Sequence, residues 1–575
     1  MHSKLLLMNI PSGRIPSDYP PIAISRVIEG IEPSLNVEVS FLNLDYLRPS
    51  LDEIKNKIES FKPDIVGFSA VLTPAYRYLK ELSNFIGKNF PSVIQVLGGE
   101  MAVIANIVLL KTKVNFCITG ESEPSFSNLI LRLKKDNFKP ETKNYRDILG
   151  LVFLLDGMPY FTGTETNDSR QNGLRQFNYK LMSGLFSLNN YIHKIDGQYF
   201  RSRLINNRIE GFLDLLHPHN QHKNMAMVFA SKGCINKCSF CHRFFKGYRF
   251  IDPVSVINYI EALKMDLDVG MALFSEENFG TNTKATSLII EYLRDSRLNW
   301  GAGAVRVRTV NEKTIRLWKQ AGCVHINFGI ESLSQKMLDV MDKRATVEEN
   351  LNAIMLCHKY GIFTIIGLVI GMPGETEQTI QETIDNLTEV IPDDINIPFE
   401  VYVNYVQTVP GTPIYEYAKR LGLIGRSLDE EEKYIEGLSE ADANEVRQYL
   451  NFTDYLKEET AYWKYYISME LIASYIRKNG YFNVLRHKKT RAYRVGLLYV
   501  FFPKRVRRFL LKYLMIARFF GLRRLMYICK EKAFKLFMKK VRNFGNVNRP
   551  IREINKELTQ LLREDEVAVV PLREG

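Results

Sequence analysis

The stretch Cys234-Ile-Asn-Lys-Cys238-Ser-Phe-Cys241 places three cysteines within one eight-residue run. A C-x3-C-x2-C loop of this kind can put three thiolates on three corners of a cubane iron–sulfur cluster, which leaves the fourth iron open for chemistry. The apolar run Met225-Ala-Met-Val-Phe-Ala230 shortly precedes the loop and predicts a buried strand. Because α/β barrels carry their active sites at the carboxyl ends of their strands, we expect the loop at such an end.

Two other interpretations of the three thiols are weaker. A zinc site usually needs four ligands, so His242 would have to join the cysteines, and its position beside Cys241 strains that geometry. Buried, inert thiols are disfavoured because Lys232, Lys237 and Ser239 make the loop polar. The sequence therefore favours cluster ligation by all three cysteines.

The length of 575 residues exceeds what one hydrophobic core supports and predicts about three or four domains. An apolar fraction of 46% and a charged fraction of 25% are ordinary for a soluble globular protein. Of seven cysteines, the four outside the loop are scattered, which is typical of a reducing compartment and not of a disulfide framework. The N-terminal apolar stretch is too short for a signal peptide, and no run reaches the roughly 18 apolar residues of a membrane span. A cytoplasmic protein is predicted.

The net charge of +13 belongs to the C-terminal region. Between Arg486 and Arg542 there are 19 Lys or Arg and one acid, Glu531, so this segment carries +18 and leaves −5 for the rest of the chain. Basic helices interleaved with aromatic residues suit an anionic membrane surface, which would hold the protein at the inner face of the membrane. The competing interpretation is a solvated positive face on a helical cap over the barrel. Nucleic acid is not expected as a partner.

Residues 1–139 alternate short apolar strands with helical segments, which predicts a doubly wound, Rossmann-like parallel sheet. The strand candidates include 5–8, 37–42, 64–69, 94–97 and 116–118. Segment 140–224 is more polar and predicts a linker with one small hairpin, in which apolar runs at 151–155 and 160–161 flank Asp156-Gly157.

Residues 225–425 again alternate strands and helices, and six strand candidates lie at 225–230, 272–274, 300–305, 324–329, 364–370 and 399–406. Six strands are too few for a closed eight-stranded barrel, so a partial (βα)6 barrel is predicted. Residues 426–575 predict a helical, basic C-terminal domain that begins with an acidic helix at 428–440. The fold class is therefore α/β, with a Rossmann-like sheet, a partial barrel and a helical C-terminal region.

The barrel region resembles the radical S-adenosylmethionine (radical SAM) superfamily, in which an aromatic residue such as Phe240 precedes the third cysteine. Further motifs follow in the order typical of the subfamily that carries a cobalamin-binding domain, and the resemblance covers most of residues 225–420. These motifs are Ala321-Gly-Cys-Val-His-Ile-Asn-Phe-Gly-Ile-Glu-Ser332, Asp342-Lys343, Ile370-Gly-Met-Pro-Gly-Glu-Thr376 and Val409-Pro-Gly-Thr-Pro413. The resemblance implies a [4Fe–4S] cluster whose open iron chelates S-adenosylmethionine, and whose electron cleaves it to methionine and a 5′-deoxyadenosyl radical.

The resemblance also implies which residues contact S-adenosylmethionine. Glu331 and Ser332 are expected to bond its ribose or methionyl end, and a salt bridge at the strand end is the alternative for them. Arg306 is expected to meet the methionyl carboxylate with its planar guanidinium, although Arg308 is also eligible. The remaining cofactor candidates on the barrel are Phe240, Gly371, Pro373 and Gly374, the last three because they let the backbone approach the adenosine closely.

The second barrel strand departs from the general Gly-Gly-Glu pattern of the superfamily. It reads Phe274-Ser-Glu-Glu-Asn-Phe279. Glu277 is the candidate for the amino group of S-adenosylmethionine, and Glu276 stays open as the other one.

Residues 1–139 resemble the cobalamin-binding domain that precedes the barrel in the same subfamily. The points of resemblance are Pro63-Asp-Ile-Val-Gly-Phe-Ser69, Thr73-Pro74, Leu97-Gly-Gly-Glu100 and Thr119-Gly-Glu-Ser-Glu123. Cobalamin is thus implied as a third cofactor, with candidate contacts at Ser69, Thr73, Gly98, Gly99, Gly120 and Glu121. Many such domains hold cobalt with an Asp-x-His-x-x-Gly histidine, but this chain has no histidine between His2 and His193. The domain therefore cannot supply a cobalt-ligating histidine, and a degenerate domain without the cofactor is the alternative.

The resemblance implies a cobalamin-dependent radical SAM enzyme that methylates an unactivated carbon of a natural-product, peptide or lipid substrate. In the family chemistry, the deoxyadenosyl radical removes a hydrogen atom and the substrate radical takes a methyl group from methylcobalamin. The alternative is ring formation, rearrangement or carbon–carbon coupling, and a non-catalytic cobalamin or redox sensor fits the complete motif set less well. Methylthiotransferases are excluded because their N-terminal domain needs three more cluster cysteines, whereas this one has only Cys117. An electron donor such as flavodoxin or ferredoxin is an expected partner.

Overall fold

The computed structural model describes residues 2–11, 13, 16–17, 19–70, 75–140, 142–164, 174–195, 212–242, 247–392, 399–438, 449–487 and 491–520. Two seven-stranded sheets and one separate two-stranded hairpin form within these ranges. The first sheet comes from the N-terminal region and the second from the middle of the chain.

The first sheet has five parallel strands in the spatial order β2-β1-β3-β4-β5. They are β1 (Ser3–Asn9), β2 (Val37–Leu42), β3 (Ile65–Ser69), β4 (Ile94–Gly98) and β5 (Phe116–Ile118). Successive side chains of β1 enter different cores: Leu5 and Leu7 pack on one face, and Leu6 and Met8 on the other. A parallel sheet covered by helices on both faces requires this continuous apolar pattern. The predicted doubly wound sheet is confirmed.

Six helices accompany this sheet. They are α1 (Ile22–Gly30), α2 (Leu44–Leu47), α3 (Leu51–Phe61), α4 (Tyr76–Asn89), α5 (Ala105–Lys111) and α6 (Ser122–Lys135). Helix α3 begins at a capping box in which the Ser50 hydroxyl accepts from the Glu53 amide and the Glu53 carboxylate accepts from the Ser50 amide.

The predicted hairpin forms from β6 (Leu151–Leu155) and β7 (Met158–Phe161). Asp156 and Gly157 both have positive φ, at 51° and 79°, which is the backbone of a type I′ turn. Because β6 pairs antiparallel with β5, the hairpin extends the first sheet by two strands. Part of the segment that the sequence predicts as a linker therefore packs with the N-terminal sheet.

The second sheet is a partial barrel of six parallel strands in sequential order, as predicted. A short antiparallel strand, β8 (His193–Lys194), flanks the first of them. The parallel strands are β9 (Asn224–Val228), β12 (Val269–Phe274), β13 (Asn299–Val305), β14 (Cys323–Glu331), β15 (Phe363–Ile370) and β16 (Phe399–Tyr405). Between β9 and β12, β10 (Ser231–Cys234) and β11 (Gly247–Phe250) form the separate antiparallel hairpin.

The helices before and around the barrel alternate with its strands as a (βα) pattern requires. They are α7 (Tyr179–Ser183), α8 (Pro253–Leu267), α9 (Thr283–Ser296), α10 (Glu312–Gln320), α11 (Gln335–Val340), α12 (Val347–Lys359), α13 (Glu377–Glu389) and α14 (Pro413–Arg420). Asn282 and Thr346 cap α9 and α12 by accepting hydrogen bonds from the amides three residues on.

The C-terminal region is helical as far as residue 520, where the described residues end. Its helices are α15 (Leu428–Leu438), α16 (Lys457–Asn479), α17 (Tyr481–His487), α18 (Arg491–Tyr499) and α19 (Lys504–Phe520). The acidic helix α15 packs on the N-terminal unit, where the Tyr76 hydroxyl donates to Glu432 at 2.7 Å and Lys80 pairs with the same carboxylate at 2.8 Å. None of the described helices is long and apolar enough to cross a lipid bilayer.

Helix α16 packs along the last barrel strand and α13. The Tyr405 hydroxyl of β16 donates to the Ala461 carbonyl at 2.6 Å, and the Tyr466 hydroxyl donates to the Gln381 side chain at 2.9 Å. The helix therefore covers the open edge of the partial barrel beside β16.

Candidate active site at the barrel mouth

The three-cysteine loop leaves the barrel at the carboxyl end of β9 and starts on the β10–β11 hairpin. Cys234 is the last residue of β10 and pairs with Gly247. Gly233 has φ +83°, and a Cβ there would collide with the Gly247 carbonyl oxygen, so the hairpin requires glycine at this position. The cysteines differ in exposure, since Cys238 is buried and Cys241 lies at the surface.

Backbone and side-chain hydrogen bonds fix the loop to the segment after α11. The Ser239 amide donates to the Met341 carbonyl at 3.0 Å and its hydroxyl donates to the Val340 carbonyl at 3.2 Å. The Asn236 side chain donates to the Lys343 carbonyl at 3.1 Å. These bonds hold the loop in one conformation although it has little regular secondary structure.

Phe240 packs against a small apolar cluster instead of pointing freely into solvent. The cluster includes Met341, Met372 and Val406. Phe240 therefore ties the cysteine loop to the ends of β15 and β16, and its predicted contact with a cofactor stays a prediction.

The surroundings of the thiols act on the pKa of Cys238 in opposite directions. Burial raises the pKa of the Cys238 thiol, and the positive charge of Lys343 opposes that effect. The Asn278 side-chain amide lies 3.7 Å from the Cys234 sulfur. No group of three or more His, Cys, Asp or Glu side chains in the described ranges converges as the ligand shell of a single ion. Ligands of an iron–sulfur cluster bind separate irons and need not converge on one point.

Glu331 ends β14 and forms an ion pair with Lys343, whose Nζ lies 2.8 Å from Glu331 Oε1. Both side chains are about six-sevenths buried, at 14% and 15% exposure. Burial alone would lower the pKa of Lys343, but the Glu331 carboxylate and the cysteine thiolates outweigh it and raise the pKa. Glu331 has φ +64°, a left-handed backbone that is uncommon for a side chain of this size. Sequence reasoning quoted Lys343 in a motif but assigned it no role.

The neighbouring Ser332 faces a helix and not the mouth of the barrel. Its hydroxyl lies 3.2 Å from the Thr383 hydroxyl of α13 and accepts from the Ser334 amide at 3.1 Å. The hydroxyl is engaged in packing, so Ser332 and Glu331 are adjacent in sequence but occupy different surroundings.

The two arginines after β13 differ in their partners. The Arg308 guanidinium pairs with Glu349 at 3.1 Å on α12, and its side chain is exposed. Arg306 is half-buried and starts the turn in which the Thr309 amide donates to the Arg306 carbonyl at 3.0 Å. Because Arg308 is held by a carboxylate outside the barrel, Arg306 is the better placed of the two to meet a ligand.

The Gly371-Met-Pro-Gly-Glu375 turn follows β15, with Gly371 and Gly374 at positive φ. The Glu375 carboxylate accepts from the Gly371 amide, and burial raises the pKa of Glu375 to about 8. Tyr449 covers Gly371 so closely that a Cβ on the glycine would lie 2.8 Å from the tyrosine ring. The predicted residues Gly371, Pro373 and Gly374 thus form one turn at the carboxyl end of the barrel.

Glu276 and Glu277 lie after β12 in different environments. Glu276 is buried, and burial raises the pKa of its carboxyl to about 8. Glu277 is exposed. Burial raises the pKa of Glu100 in the N-terminal unit, and the negative charge of Glu277 raises it further. Glu277 is therefore the one that a ligand between the two units could reach.

The predicted cobalamin contacts lie at the carboxyl edge of the first sheet. Ser69 and Gly98 end β3 and β4, and Gly120 and Glu121 follow β5. Gly99 has φ +95°, and a Cβ there would lie 2.5 Å from the Ala70 carbonyl oxygen, so glycine is required. A Cβ on Gly120 would meet no atom within 4 Å, which shows that the edge is open there. Thr73 lies outside the described residues.

The edge of the first sheet faces the cysteine hairpin of the barrel. Glu121 accepts from Lys232 at 3.2 Å and from Arg249, which belong to β10 and β11. Val103, just after Gly99, packs against Gly411, since a Cβ on that glycine would lie 2.9 Å from the valine side chain. The carboxyl edge of the first sheet and the cysteine hairpin of the barrel are thus held against each other, and the sequence does not predict this because no local pattern encodes a contact between distant segments.

Two protein-family models match the chain in these regions. Residues 9–130 match the B12 binding domain, and residues 228–387 match the radical SAM superfamily. Two similar proteins are anaerobic magnesium-protoporphyrin IX monomethyl ester cyclases. The one from Cereibacter sphaeroides is 26% identical over 415 residues, which cover 70% of this chain and 61% of that protein. The one from Rubrivivax gelatinosus is 27% identical and the match covers 66% and 64%. The chain thus spans less than two thirds of these relatives.

Solved structures share the fold. OxsB, a cobalamin-dependent S-adenosylmethionine radical enzyme, superposes with a TM-score of 0.61 at 15% identity over 98% of this chain and 80% of that one. TsrM from Kitasatospora setae, a radical S-adenosylmethionine methyltransferase, has a TM-score of 0.57 at 16% identity over 74% and 77%. A three-cysteine loop on a partial barrel behind a doubly wound sheet defines a radical SAM protein with an added domain. Residues 228–387 thus form a radical SAM domain, and residues 9–130 form a B12-binding domain.

The radical SAM domain implies a [4Fe–4S] cluster and S-adenosylmethionine, and the B12-binding domain implies cobalamin. The donor set fits the cluster, because three thiols lie on one anchored loop and the fourth protein ligand of a closed site is not needed. The open edge at Gly98 and Gly120 fits a flat, bulky cofactor, since neither position has an atom closer than 4.0 Å to a built Cβ.

Proposed function

We propose that the protein is a cobalamin-dependent radical SAM enzyme that methylates an unactivated carbon. The observation that carries this proposal is the junction at Glu121, Lys232 and Arg249, which holds the carboxyl edge of the B12-binding domain against the cysteine hairpin. When bound, the three cofactors supply hydrogen-atom abstraction and a transferable methyl group. A methyl transfer of this kind needs both cofactor sites to open on one substrate space.

The residues of the barrel mouth have separate roles in this proposal. Cys234, Cys238 and Cys241 hold the cluster, and Lys343 keeps positive charge beside their sulfurs. Glu277 and Arg306 bind the amino and carboxylate groups of S-adenosylmethionine as opposite charges. The turn at 371–374 binds the adenosine side, and Glu331 orients Lys343.

Ring formation is the second candidate. It is supported by the two cyclases, whose matches cover 70% and 66% of this chain. Methylation is supported by TsrM, whose fold the chain shares. The two reactions consume S-adenosylmethionine differently, and this difference provides the test.

The test uses full-length protein reconstituted anaerobically with iron, sulfide and cobalamin, reduced, and given methyl-deuterated S-adenosylmethionine together with an extract of the source cells. Methylation should release S-adenosylhomocysteine and 5′-deoxyadenosine in similar amounts and give an extract metabolite with a deuterated methyl group. Ring formation should give 5′-deoxyadenosine without S-adenosylhomocysteine. That second result would refute methylation.

The cluster assignment has its own control. Wild-type protein should hold about four irons, and the variant with Cys234, Cys238 and Cys241 all changed to Ala should hold none. Cys117→Ala removes a thiol of the first sheet and should leave the iron content unchanged. Full iron in the triple variant would remove the basis of the proposed reaction.

A further inference from the structure

Helix α19 exposes a stripe of apolar side chains in addition to exposed cations, and it turns three other cations inward. Helices on the surface of a globular protein turn apolar side chains toward the core and charges toward water. In α19 the exposed apolar side chains are Val506, Phe509, Leu510 and Leu514, at spacings of three, four and eight residues from the first; Lys504, Arg505 and Arg518 are exposed as well. Phe509 is 61% and Leu514 is 62% exposed.

The inward face of α19 carries three cations beside the buried Leu511 and Ile516. Arg507 pairs with Glu470 of α16, and both side chains are at most 4% exposed. Arg508 pairs with Glu377 of α13 at 2.7 Å, and Lys512 pairs with Glu459 of α16 at 2.9 Å. Three ion pairs therefore fix which way the helix is turned. The sequence does not indicate which cations of the basic region face outward, and Arg507 faces inward because the Glu470 carboxylate pairs with it.

The apolar face continues across the two preceding helices. Phe482 of α17 and Leu498 of α18 are 81% and 66% exposed. The ring of Tyr481 lies 5.4 Å from the ring of Phe482 and 5.4 Å from that of Phe501, so it connects α17 to the turn between α18 and α19. We call this surface, formed by Phe482, Leu498, Phe501, Phe509, Leu510 and Leu514, the outer apolar face. Six exposed apolar side chains on adjoining segments form a patch of the kind that marks an interaction surface.

The charges around the outer apolar face select the partner. No Asp or Glu occurs between residues 481 and 520, whereas Arg486 and Arg505 are exposed beside the apolar side chains. A surface whose own helices expose apolar and aromatic groups with cations beside them, and contain no acids, matches the boundary between anionic headgroups and acyl chains. A protein partner would have to supply acids that complement the arginines. A second copy of this chain could not supply them through the same face, because residues 481–520 contain no acid.

We propose that helices α17–α19 seat the protein on an anionic lipid bilayer, with the outer apolar face inserted at the headgroup boundary and Arg486 and Arg505 at the phosphates. This inference is independent of the reaction at the barrel mouth. It differs from attraction by charge alone, because apolar insertion persists when salt screens the arginines.

The test is flotation of the full-length protein with vesicles of phosphatidylcholine, with or without phosphatidylglycerol. Wild type should bind the mixed vesicles much more tightly than pure phosphatidylcholine, and raised salt should weaken the binding without abolishing it. Phe509→Ser/Leu514→Ser should bind the mixed vesicles about tenfold or more weakly, because two inserted side chains are lost. Met265→Ser/Leu288→Ser removes two other exposed apolar side chains, on α8 and α9, with 77% and 52% exposure, and should bind like wild type.

Arg486→Gln/Arg505→Gln tests the charges separately and should weaken binding to mixed vesicles about tenfold while leaving any binding to phosphatidylcholine unchanged. Equal binding to both vesicles, no binding to either, or wild-type binding by Phe509→Ser/Leu514→Ser would overturn the proposal. Light scattering after gel filtration tests whether a second copy of this chain binds the outer apolar face instead. A lipid-free wild-type dimer that becomes monomeric in Phe509→Ser/Leu514→Ser would assign the face to a second copy instead.

Discussion

Arg507→Met tests whether buried charge holds α19 on the barrel. The Arg507 Nε donates to Glu470 Oε1 at 2.8 Å, and a second guanidinium nitrogen donates to Oε2. The Tyr499 hydroxyl donates to the same Oε1 at 2.9 Å, and its ring lies 5.3 Å from the guanidinium. Methionine keeps the volume and apolar stem of arginine but leaves the Glu470 carboxylate without its cation.

The expected loss is large because both partners are almost fully buried, at 4% and 3% exposure. Removing one partner of a buried ion pair typically costs about 3 to 5 kcal/mol. The hydroxyl of Tyr499 still donates to the carboxylate, so the lower end, about 3 kcal/mol, is expected here. A loss of this size makes local opening of α18 and α19 roughly a hundredfold more frequent.

Hydrogen exchange measured by mass spectrometry reads this opening directly. Peptides covering residues 491–520 should exchange roughly a hundredfold faster in Arg507→Met, whereas peptides from the first sheet should not change. Arg505→Met is the matched control, because Arg505 lies on the same helix but is exposed. An acceleration below about threefold, or one that Arg505→Met reproduces, would show that the ion pair does not hold the helix.

Two further predictions follow from buried or bridging carboxylates. Burial raises the pKa of Glu276 from its ordinary value of 4.5 to about 8 in the ligand-free folded protein. Between these two pH values the folded protein keeps a proton that the unfolded chain has released. The stability of the folded state therefore falls as pH rises from 4.5 to 8. Glu276→Gln should remove up to about 5 kcal/mol of this pH-dependent loss of stability. The melting temperature of the variant should therefore drop less between pH 5.5 and 8 than that of wild type. An unchanged drop would assign the pH dependence to other groups. Glu121→Gln should weaken the junction with Lys232 and Arg249 by about 1 to 3 kcal/mol and speed exchange in the β10–β11 hairpin, whereas Glu59→Gln, at an exposed helix pair, should not.

The sequence predicts those features that a short window encodes. Continuous apolar runs give β9 and β12–β16, and Asp156-Gly157 gives the hairpin turn because both residues adopt positive φ readily. The cysteine spacing gives the loop and its chemistry. The same windows do not show that β6 pairs with β5, because that pairing joins segments separated along the chain.

The candidate site divides in the same way. The sequence motif identifies Glu331 as a candidate, but its ion pair with Lys343 depends on how the chain folds between the end of β14 and the segment after α11. Arg306 and Arg308 are equivalent in sequence, and only the position of Glu349 on α12 separates them. The direction in which α19 turns its cations depends on Glu377, Glu459 and Glu470, which come from distant helices.

The ion pairs of α19 also determine how the whole protein would lie on a membrane. Helix α16 is 23 residues long, which corresponds to roughly 35 Å, and Lys512 contacts its first turn while Arg507 contacts its middle. Tyr449, shortly before α16, covers the Gly371 turn at the barrel mouth. Tilting α19 relative to the barrel would break buried ion pairs at two points of α16 at once. The outer apolar face therefore has a fixed direction relative to the barrel mouth, so binding to a bilayer would set the orientation of the mouth as well as the location of the protein.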